Sequence, residues 1–267
     1  MAKKLAFFNG KGGCGKTTSI FHITGVLAEK YHAKILVIDL DKQRNTTDSL
    51  LMENEEYLQE CENKTVKTVY DYFTGKAELK DITKKAYFKS RGNAKAKYYN
   101  VDVLPSDVRL EEERFLRNVN IKDNLNRFVE ENGYDYILVD MPPSNKVVNE
   151  ICFSQIVNNV IVPFSSDIYS VSGYDDLMDI INKARDKNSD LNIVGIYLAR
   201  YMSNCAVDKY IKEQLKEFDI FIDIQIPLMA DLREAVMFGR PLSFYKTKSK
   251  SLTAYEKLTE YIVESID

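Results

Sequence analysis

The sequence has few of the residues that build disulfide scaffolds or structural metal sites. Its cysteines share no C-x-x-C spacing, and only His22 and His32 could complete a metal site with them. The cysteines are Cys14, Cys61, Cys152 and Cys205. We therefore expect a reduced chain that works in the cytoplasm.

Long apolar runs and linkers are also lacking. No stretch approaches the roughly 20 apolar residues that a membrane-spanning helix needs, and the apolar run at 5–8 is too short for a signal peptide. Because neither repeats nor a Pro-, Gly- or Ser-rich linker occur, one domain over residues 1–267 is predicted. The formal net charge of -3 excludes a protein that coats nucleic acid over its whole surface, so any such contact must be local.

Short apolar, β-branched or aromatic runs recur along the chain, and segments of helical length separate most of them. The runs are 5–8, 35–38, 101–104, 136–139, 160–163, 193–198 and 220–226. Hydrophobicity that is continuous rather than alternating, as in 35–38, indicates strands covered on both faces. The predicted fold class is therefore α/β, a doubly wound, mainly parallel sheet with helices on both faces. The highly charged segment 53–100 is expected to hold a long surface excursion.

The most informative motif follows the first apolar run. Residues 10–17 have the sequence G-K-G-G-C-G-K-T, which satisfies the P-loop pattern G-x-x-x-x-G-K-[ST] between a strand and an amphipathic helix. The glycines let backbone N–H groups surround phosphates, and the following helix points its N-terminus at the same anion. ATP and Mg²⁺ are thus the predicted cofactors. The predicted nucleotide-binding residues are Gly10, Lys11, Gly12, Gly13, Cys14, Gly15, Lys16, Thr17 and Thr18.

Within this loop, individual side chains have separate expected roles. Lys16 is expected to bridge the β and γ phosphates, Thr17 to bind Mg²⁺ through its hydroxyl, and Thr18 to donate to the α-phosphate. Asp39 and Asp140 each end an apolar run, and the carboxyl ends of neighbouring parallel strands lie together. The predicted metal-binding residues are therefore Thr17, Asp39 and Asp140, although strand-end aspartates also occur as simple turn residues.

Several segments together resemble one family. Residues 11–18, K-G-G-C-G-K-T-T, resemble the deviant Walker A box of the ParA/MinD family, in which a second lysine follows the first glycine. Residues 39–45 resemble its D-x-D-P-Q-G-N segment, and residues 134–143 its Y-D-x-I-x-x-D-x-P-P segment. Further similarity to ParA at 68–71, 104–106, 162–163 and 226–242 extends the resemblance over nearly the whole chain.

The resemblance implies a ParA-like ATPase for plasmid or chromosome partitioning. By that likeness, ATP joins two copies face to face in a homodimer that binds DNA non-specifically, associates with the nucleoid and is stimulated by a ParB-like partner. Lys11 would reach the partner's phosphates and Asp41 would position the attacking water, so the candidate catalytic residues are Lys11, Lys16 and Asp41. Gly12 would lie at the seam of the dimer.

The sequence departs from the family pattern at several positions. Lys42 and Arg44 replace the usual proline and glycine, which makes this loop more cationic. Cys14 replaces an aliphatic residue and is either a packing residue or a redox-sensitive thiol. Leu228 and Asp231 stand near positions where relatives carry basic residues for DNA binding.

Two basic segments are candidates for DNA or partner contact, or are simply solvated faces. The first mixes Lys84, Lys85, Lys89, Arg91, Lys95 and Lys97 with Tyr87, Phe88, Tyr98 and Tyr99, and the second contains Lys246, Lys248 and Lys250. Since the P-loop starts about ten residues into the chain, no helix-turn-helix is expected before it.

Alternative functions stay open within the same family. A MinD-like membrane-positioning protein would need a cationic amphipathic C-terminal helix, whereas the apolar face of residues 252–267 is accompanied by acidic residues. We therefore expect a packing helix there and no membrane partner. An iron–sulfur or electron-transfer relative would need paired cysteines. A positioning ATPase for another cargo cannot be separated from a ParA by sequence.

Overall fold

The computed structural model of the chain describes residues 1–90, 92, 95–111, 120–165 and 173–266. Within these residues the strands are β1 Lys3–Phe7, β2 Ile35–Asp39, β3 Lys84–Phe88, β4 Lys97–Leu104, β5 Tyr136–Asp140, β6 Asn159–Ser165, β7 Asn192–Tyr201 and β8 Phe221–Pro227. The α-helices are α1 Lys16–Lys30, α2 Asn45–Leu50, α3 Glu55–Glu62, α4 Val69–Phe73, α5 Leu79–Ile82, α6 Ile121–Asn132, α7 Lys146–Ile151, α8 Gly173–Arg185, α9 Ala206–Leu215, α10 Ala230–Met237, α11 Leu242–Tyr245 and α12 Lys250–Ser265. A 3₁₀ turn lies at Val108–Glu111 and a π-helical turn at Cys152–Ile156.

The described strands form one eight-stranded sheet in the order β3-β4-β2-β5-β1-β6-β7-β8. All neighbouring strands pair in parallel except β3 and β4, which are antiparallel. Strands β2, β3 and β4 lie on one side of β1, β5 returns to lie between β1 and β2, and β6, β7 and β8 then extend the sheet to the other edge. This is the doubly wound arrangement, and the predicted fold class is confirmed.

Alternate side chains of each central strand enter two separate cores. In β2, Leu36 and Ile38 face one core, which also holds the buried residues of α4 to α9. Ile35 and Val37 face the other core, which holds those of α1, α10, α11 and α12. Because both faces of the sheet are covered, the strand sequences are apolar throughout, as their continuous hydrophobicity predicted.

The expectation of a long surface excursion within residues 53–100 was wrong. The segment contains α3, α4, α5 and the edge strand β3, whose Phe88 is fully buried and stacks on Phe244 with ring centroids 5.3 Å apart. Two lysines of the first basic segment are paired with acids: Lys84 with Glu60 at 2.6 Å, and Lys89 with Glu53 at 2.6 Å. These ion pairs and the burial of Phe88 show that much of this segment packs against the rest of the protein. Arg91 lies outside the described residues.

The C-terminal helix α12 is a packing element. Its residues Leu252, Tyr255, Leu258 and Ile262 are buried in the core that α1 shares. Within the described part of the chain, no helix combines the length and the apolar character needed to cross a bilayer.

Candidate nucleotide site

The loop between β1 and α1 is shaped by glycines and by one asparagine. Gly15 has φ +95° and Gly13 has φ +74°, a left-handed conformation that side chains other than glycine rarely adopt. Asn9 accepts a hydrogen bond from the Lys11 N–H at 2.9 Å and donates through Nδ2 to the Pro163 carbonyl at 2.9 Å. Asn9 thereby ties the loop to β6, a role that the sequence did not suggest.

Lys16 lies inside the loop rather than in solvent. Its Nζ donates to the carbonyls of Asn9 at 3.0 Å and Lys11 at 3.1 Å, and the residue is only 6% exposed. A cation held at the centre of a ring of backbone groups is suited to bind a phosphate.

The two strand-end aspartates are direct neighbours in the sheet. Asp39 pairs in register with Asp140 across β2 and β5, and both are fully buried. Oδ2 of Asp140 accepts from the hydroxyl of Thr17 at 2.7 Å and from that of Thr46 at 2.6 Å. Oδ1 of Asp140 is buried and has no hydrogen-bond partner within the described residues.

Asp39 differs from Asp140 because both of its oxygens are occupied. Oδ2 accepts from the N–H and the hydroxyl of Thr47 at 2.8 and 2.7 Å, and Oδ1 accepts from the N–H of Asp41 at 3.0 Å. Asp39 therefore anchors the loop that carries Asp41. Of the predicted metal-binding carboxylates, Asp140 has the oxygen available for a further partner.

Burial disfavours the negatively charged forms of both Asp39 and Asp140. Burial raises the pKa of Asp140 to about 6, against the lowering effect of the Thr46 and Thr17 hydroxyls. Burial and the neighbouring charge of Asp140 raise the pKa of Asp39 above its usual range. A divalent cation beside the partnerless Oδ1 would offset both effects, so the residues present fit Mg²⁺. Among the residues in the described ranges, no group of three or more His, Cys, Asp or Glu side chains forms a metal cage.

Asp41 lies in a loop that polar contacts hold in place. Its Oδ1 accepts from the Gln43 N–H at 3.0 Å, and its carbonyl accepts from the Ser106 hydroxyl at 2.6 Å. The Ser106 N–H in turn donates to the Thr47 hydroxyl at 3.0 Å. Sequence reasoning assigned no role to Thr46, Thr47 or Ser106, although Thr46 and Thr47 directly follow the 39–45 segment.

Arg44 occupies the position where the family pattern has glycine. Its φ is +59°, so the backbone keeps the left-handed conformation that glycine favours. The side chain contacts α3, where Nη2 donates to the Tyr57 hydroxyl at 2.9 Å, and it also pairs with Asp48 at 3.2 Å. These contacts offset part of the backbone strain, which accounts for this departure from the pattern.

Cys14 is fully buried in the loop and donates through Sγ to the Lys11 carbonyl at 3.3 Å. Burial raises the pKa of its thiol. Because the thiolate is the reactive form, this environment favours the packing role over the redox role.

A cavity of about 960 Å³ opens over the loop. Its lining contains the predicted residues Gly12, Gly13, Cys14, Gly15, Lys16, Thr17, Thr18 and Asp41. Apolar side chains from the region after β8, including Leu228, Met229 and Leu232, line it as well. A polar phosphate end and an apolar wall in one cavity suit a nucleotide.

The second basic segment is only partly available for DNA. Lys246 pairs with Glu234 at 2.5 Å, so its charge is partly neutralised, which weakens the prediction for that residue. Lys248 and Lys250 are exposed.

A loop of this kind between a strand and a helix, with a lysine at its centre and an aspartate behind the first helical threonine, is that of a P-loop nucleotide-binding site. The model of the family described as AAA domain matches residues 2–193, and the chain belongs to that family. The predicted resemblance to the ParA/MinD type is confirmed by the relatives below.

The similar proteins cover nearly the whole length of the chain. An uncharacterized protein of Pseudomonas putida KT2440 is 31% identical over 98% of this chain and 95% of its own length. The sporulation initiation inhibitor protein Soj of Bacillus subtilis is 28% identical over 98% of each chain. Among solved structures, a plasmid partition protein of Borrelia burgdorferi B31 bound to AMPPNP has the same fold, with a TM-score of 0.76 and 22% identity over 100% of both chains.

Proposed function

We propose that residues 1–267 form one ParA-type Mg²⁺-dependent ATPase, which pairs as a homodimer when ATP is bound and then binds DNA non-specifically. A ParB-like partner that stimulates hydrolysis is part of this proposal, as is a role in DNA partitioning. One observation carries the proposal. The phosphate-binding loop with Lys16 inside it and the Thr17–Asp140 hydrogen bond lie together at the carboxyl ends of the central strands β1 and β5.

The roles of the chain's own groups follow from their positions. Lys16 would exchange its two carbonyl partners for phosphate oxygens, since a charged acceptor makes the stronger hydrogen bond. Thr17 and Asp140 would hold Mg²⁺, directly and through water, and the bound ion neutralises charge on the phosphates. Asp41, on a loop tied to β4 through Ser106, would orient the attacking water.

Dimerisation by the P-loop face is supported by the exposure of Gly12. A Cβ placed there would meet no atom of the same chain within 4 Å, so no contact inside the chain requires glycine. Glycine at an open position next to Lys11 is consistent with a second copy approaching closely. By the family likeness, Lys11 would then contact the partner's phosphates.

DNA contact in this proposal uses exposed lysines of the second basic segment. Lys248 and Lys250 are exposed at the start of α12, and pairing two copies would double the number of such contacts. ATP would then control DNA affinity through dimerisation.

The test is a DNA mobility shift with ATP and Mg²⁺ over a salt series, run beside light scattering. Asp41→Ala should bind ATP, accumulate as a dimer and retain DNA, with affinity falling steeply as salt rises. Charge reversal at Lys248 and Lys250 should weaken the shift without changing ATP affinity. A wild-type chain that stays monomeric with ATP, or that binds DNA equally without nucleotide, would contradict the proposal.

A further inference from the structure

Arg200 has an unusual backbone near the end of β7. Its φ is +60°, a left-handed conformation that is costly for a residue other than glycine. The pairing of β7 with β8 shifts register between Leu198 and Tyr201, on either side of Arg200. Irregularities of this kind redirect a side chain and are frequent next to active sites.

The redirected side chain contacts the phosphate-binding loop. Nη1 of Arg200 donates to the carbonyl oxygen of Gly13 at 2.6 Å, and Arg200 lines the nucleotide cavity. The preceding residue, Ala199, packs against the same loop, since a Cβ on Gly15 would lie 3.2 Å from the Ala199 Cβ. The end of β7 therefore contacts the loop in addition to β6, its neighbour in the sheet.

This contact fixes the orientation of one peptide group. In a trans peptide, the C=O and the following N–H point in opposite directions. When Arg200 holds the Gly13 carbonyl, the N–H of Cys14 is turned away from Arg200. Backbone N–H groups pointing inward are what a P-loop uses to hold phosphates.

From this geometry we propose that Arg200 is a positioning residue of the nucleotide site: its guanidinium holds the Gly13–Cys14 peptide so that the Cys14 N–H faces the nucleotide's phosphates. The inference rests on the proposed nucleotide binding and adds a residue that the P-loop pattern does not include. Since the contact acts on the loop itself, it supports ATP and ADP alike.

The test uses Arg200→Gly, because glycine accepts the left-handed backbone and only the side chain is lost. Titration with fluorescent analogues should show the Kd for both ATP and ADP raised by a similar factor, roughly 10-fold or more, as expected when a charged hydrogen bond is lost. In steady-state kinetics the loss should fall on KM more than on kcat. Arg200→Lys, which retains one donor and the charge, should recover part of the affinity.

Asn100→Gly is the matched control, because Asn100 is also left-handed, with φ +59°, but is exposed in β4. It should leave nucleotide affinity unchanged. An unchanged Kd in Arg200→Gly, or a fall in kcat with an unchanged KM, would overturn the inference while wild-type binding upholds the proposed function. Failure of the wild-type chain to bind ATP would instead refute the proposed function itself.

Discussion

The Oδ2 atom of Asp140 accepts hydrogen bonds from both Thr17 and Thr46, and its Oδ1 atom accepts none within the described residues. Helix α1 and helix α2, which follows the loop that carries Asp41, thus meet at one buried carboxylate. A change in the charge of Asp140 should therefore alter the hydrogen bonds of both Thr17 and Thr46.

Asp140→Asn should have two opposite effects: the nucleotide-free protein should become more stable, and Mg²⁺ should no longer add stability to the ATP-bound protein. Because Asp39 is adjacent and buried, removing one charge should raise the unfolding free energy without nucleotide, by about 1 kcal/mol or more. The extra thermal stabilisation that Mg²⁺ gives to the ATP-bound wild type should be lost. Thermal unfolding with ATP, with and without Mg²⁺, measures both effects.

Asp190→Asn removes an exposed carboxylate and serves as the control, with no change expected in either measurement. If Asp140→Asn kept the full Mg²⁺-dependent stabilisation, Asp140 would not be part of the metal site.

Lys16→Ala should abolish nucleotide binding. The substitution removes a charged donor to phosphate, worth roughly 1.5 to 3 kcal/mol, together with much of the charge neutralisation. It also leaves the carbonyls of Asn9 and Lys11 without this donor. Calorimetric titration with ATP should show no measurable heat, whereas Lys30→Ala, at the far end of the same helix, should bind normally. Unchanged ATP affinity in Lys16→Ala would exclude the proposed role of Lys16 in phosphate binding.

The sequence was sufficient for those parts of the site that depend on short segments. The P-loop needs only consecutive residues, and Asp39 and Asp140 end buried strands that the apolar runs marked. Since parallel strands place their carboxyl ends together, the convergence of these acids followed from the fold class.

What the sequence could not indicate are contacts between distant segments. Strand β3 was missed because its lysines suggested a surface, while the acid that pairs with Lys84 lies in α3. The role of Thr46 depends on how α2 folds back over the sheet, and that of Arg200 on a local irregularity in β7. Neither feature has a sequence signature of its own.

Lys11→Ala should bind ATP but remain monomeric and lose most of its turnover. Trans-acting cations in phosphoryl transfer contribute on the order of 10³ to 10⁵ in rate, whereas the loop backbone and Lys16 suffice for binding. Light scattering with ATP and a phosphate-release assay measure the two losses. Normal turnover in this variant would refute the trans role of Lys11.

Gly12→Val tests the same interface by steric means. Because the space beside Gly12 is open within one chain, the variant should fold and bind ATP but fail to dimerise. A dimer of normal affinity would show that Gly12 does not lie at the seam.

Acid should destabilise the chain through His22, a buried residue of α1. Its Nδ1 accepts from the Leu242 N–H at 3.3 Å, its Nε2 is buried without a hydrogen-bond partner within the described residues, and burial lowers its pKa to about 3. Between pH 6.5 and 3 the unfolded chain therefore binds this proton and the folded chain does not. His22 thus lowers stability as the pH falls through that window, by up to about 1.4 kcal/mol per pH unit.

The raised pKa values of Asp39 and Asp140 act in the opposite direction, so the contribution of His22 has to be measured as a difference between chains. His22→Asn keeps an acceptor for Leu242 and does not titrate. Urea unfolding should find it less stable than the wild type at pH 8, because the ring that packs on Tyr255 is lost. That deficit should shrink by roughly 2 kcal/mol between pH 8 and 5. A constant deficit for His22→Asn would mean that His22 takes up its proton equally in the folded and unfolded chains.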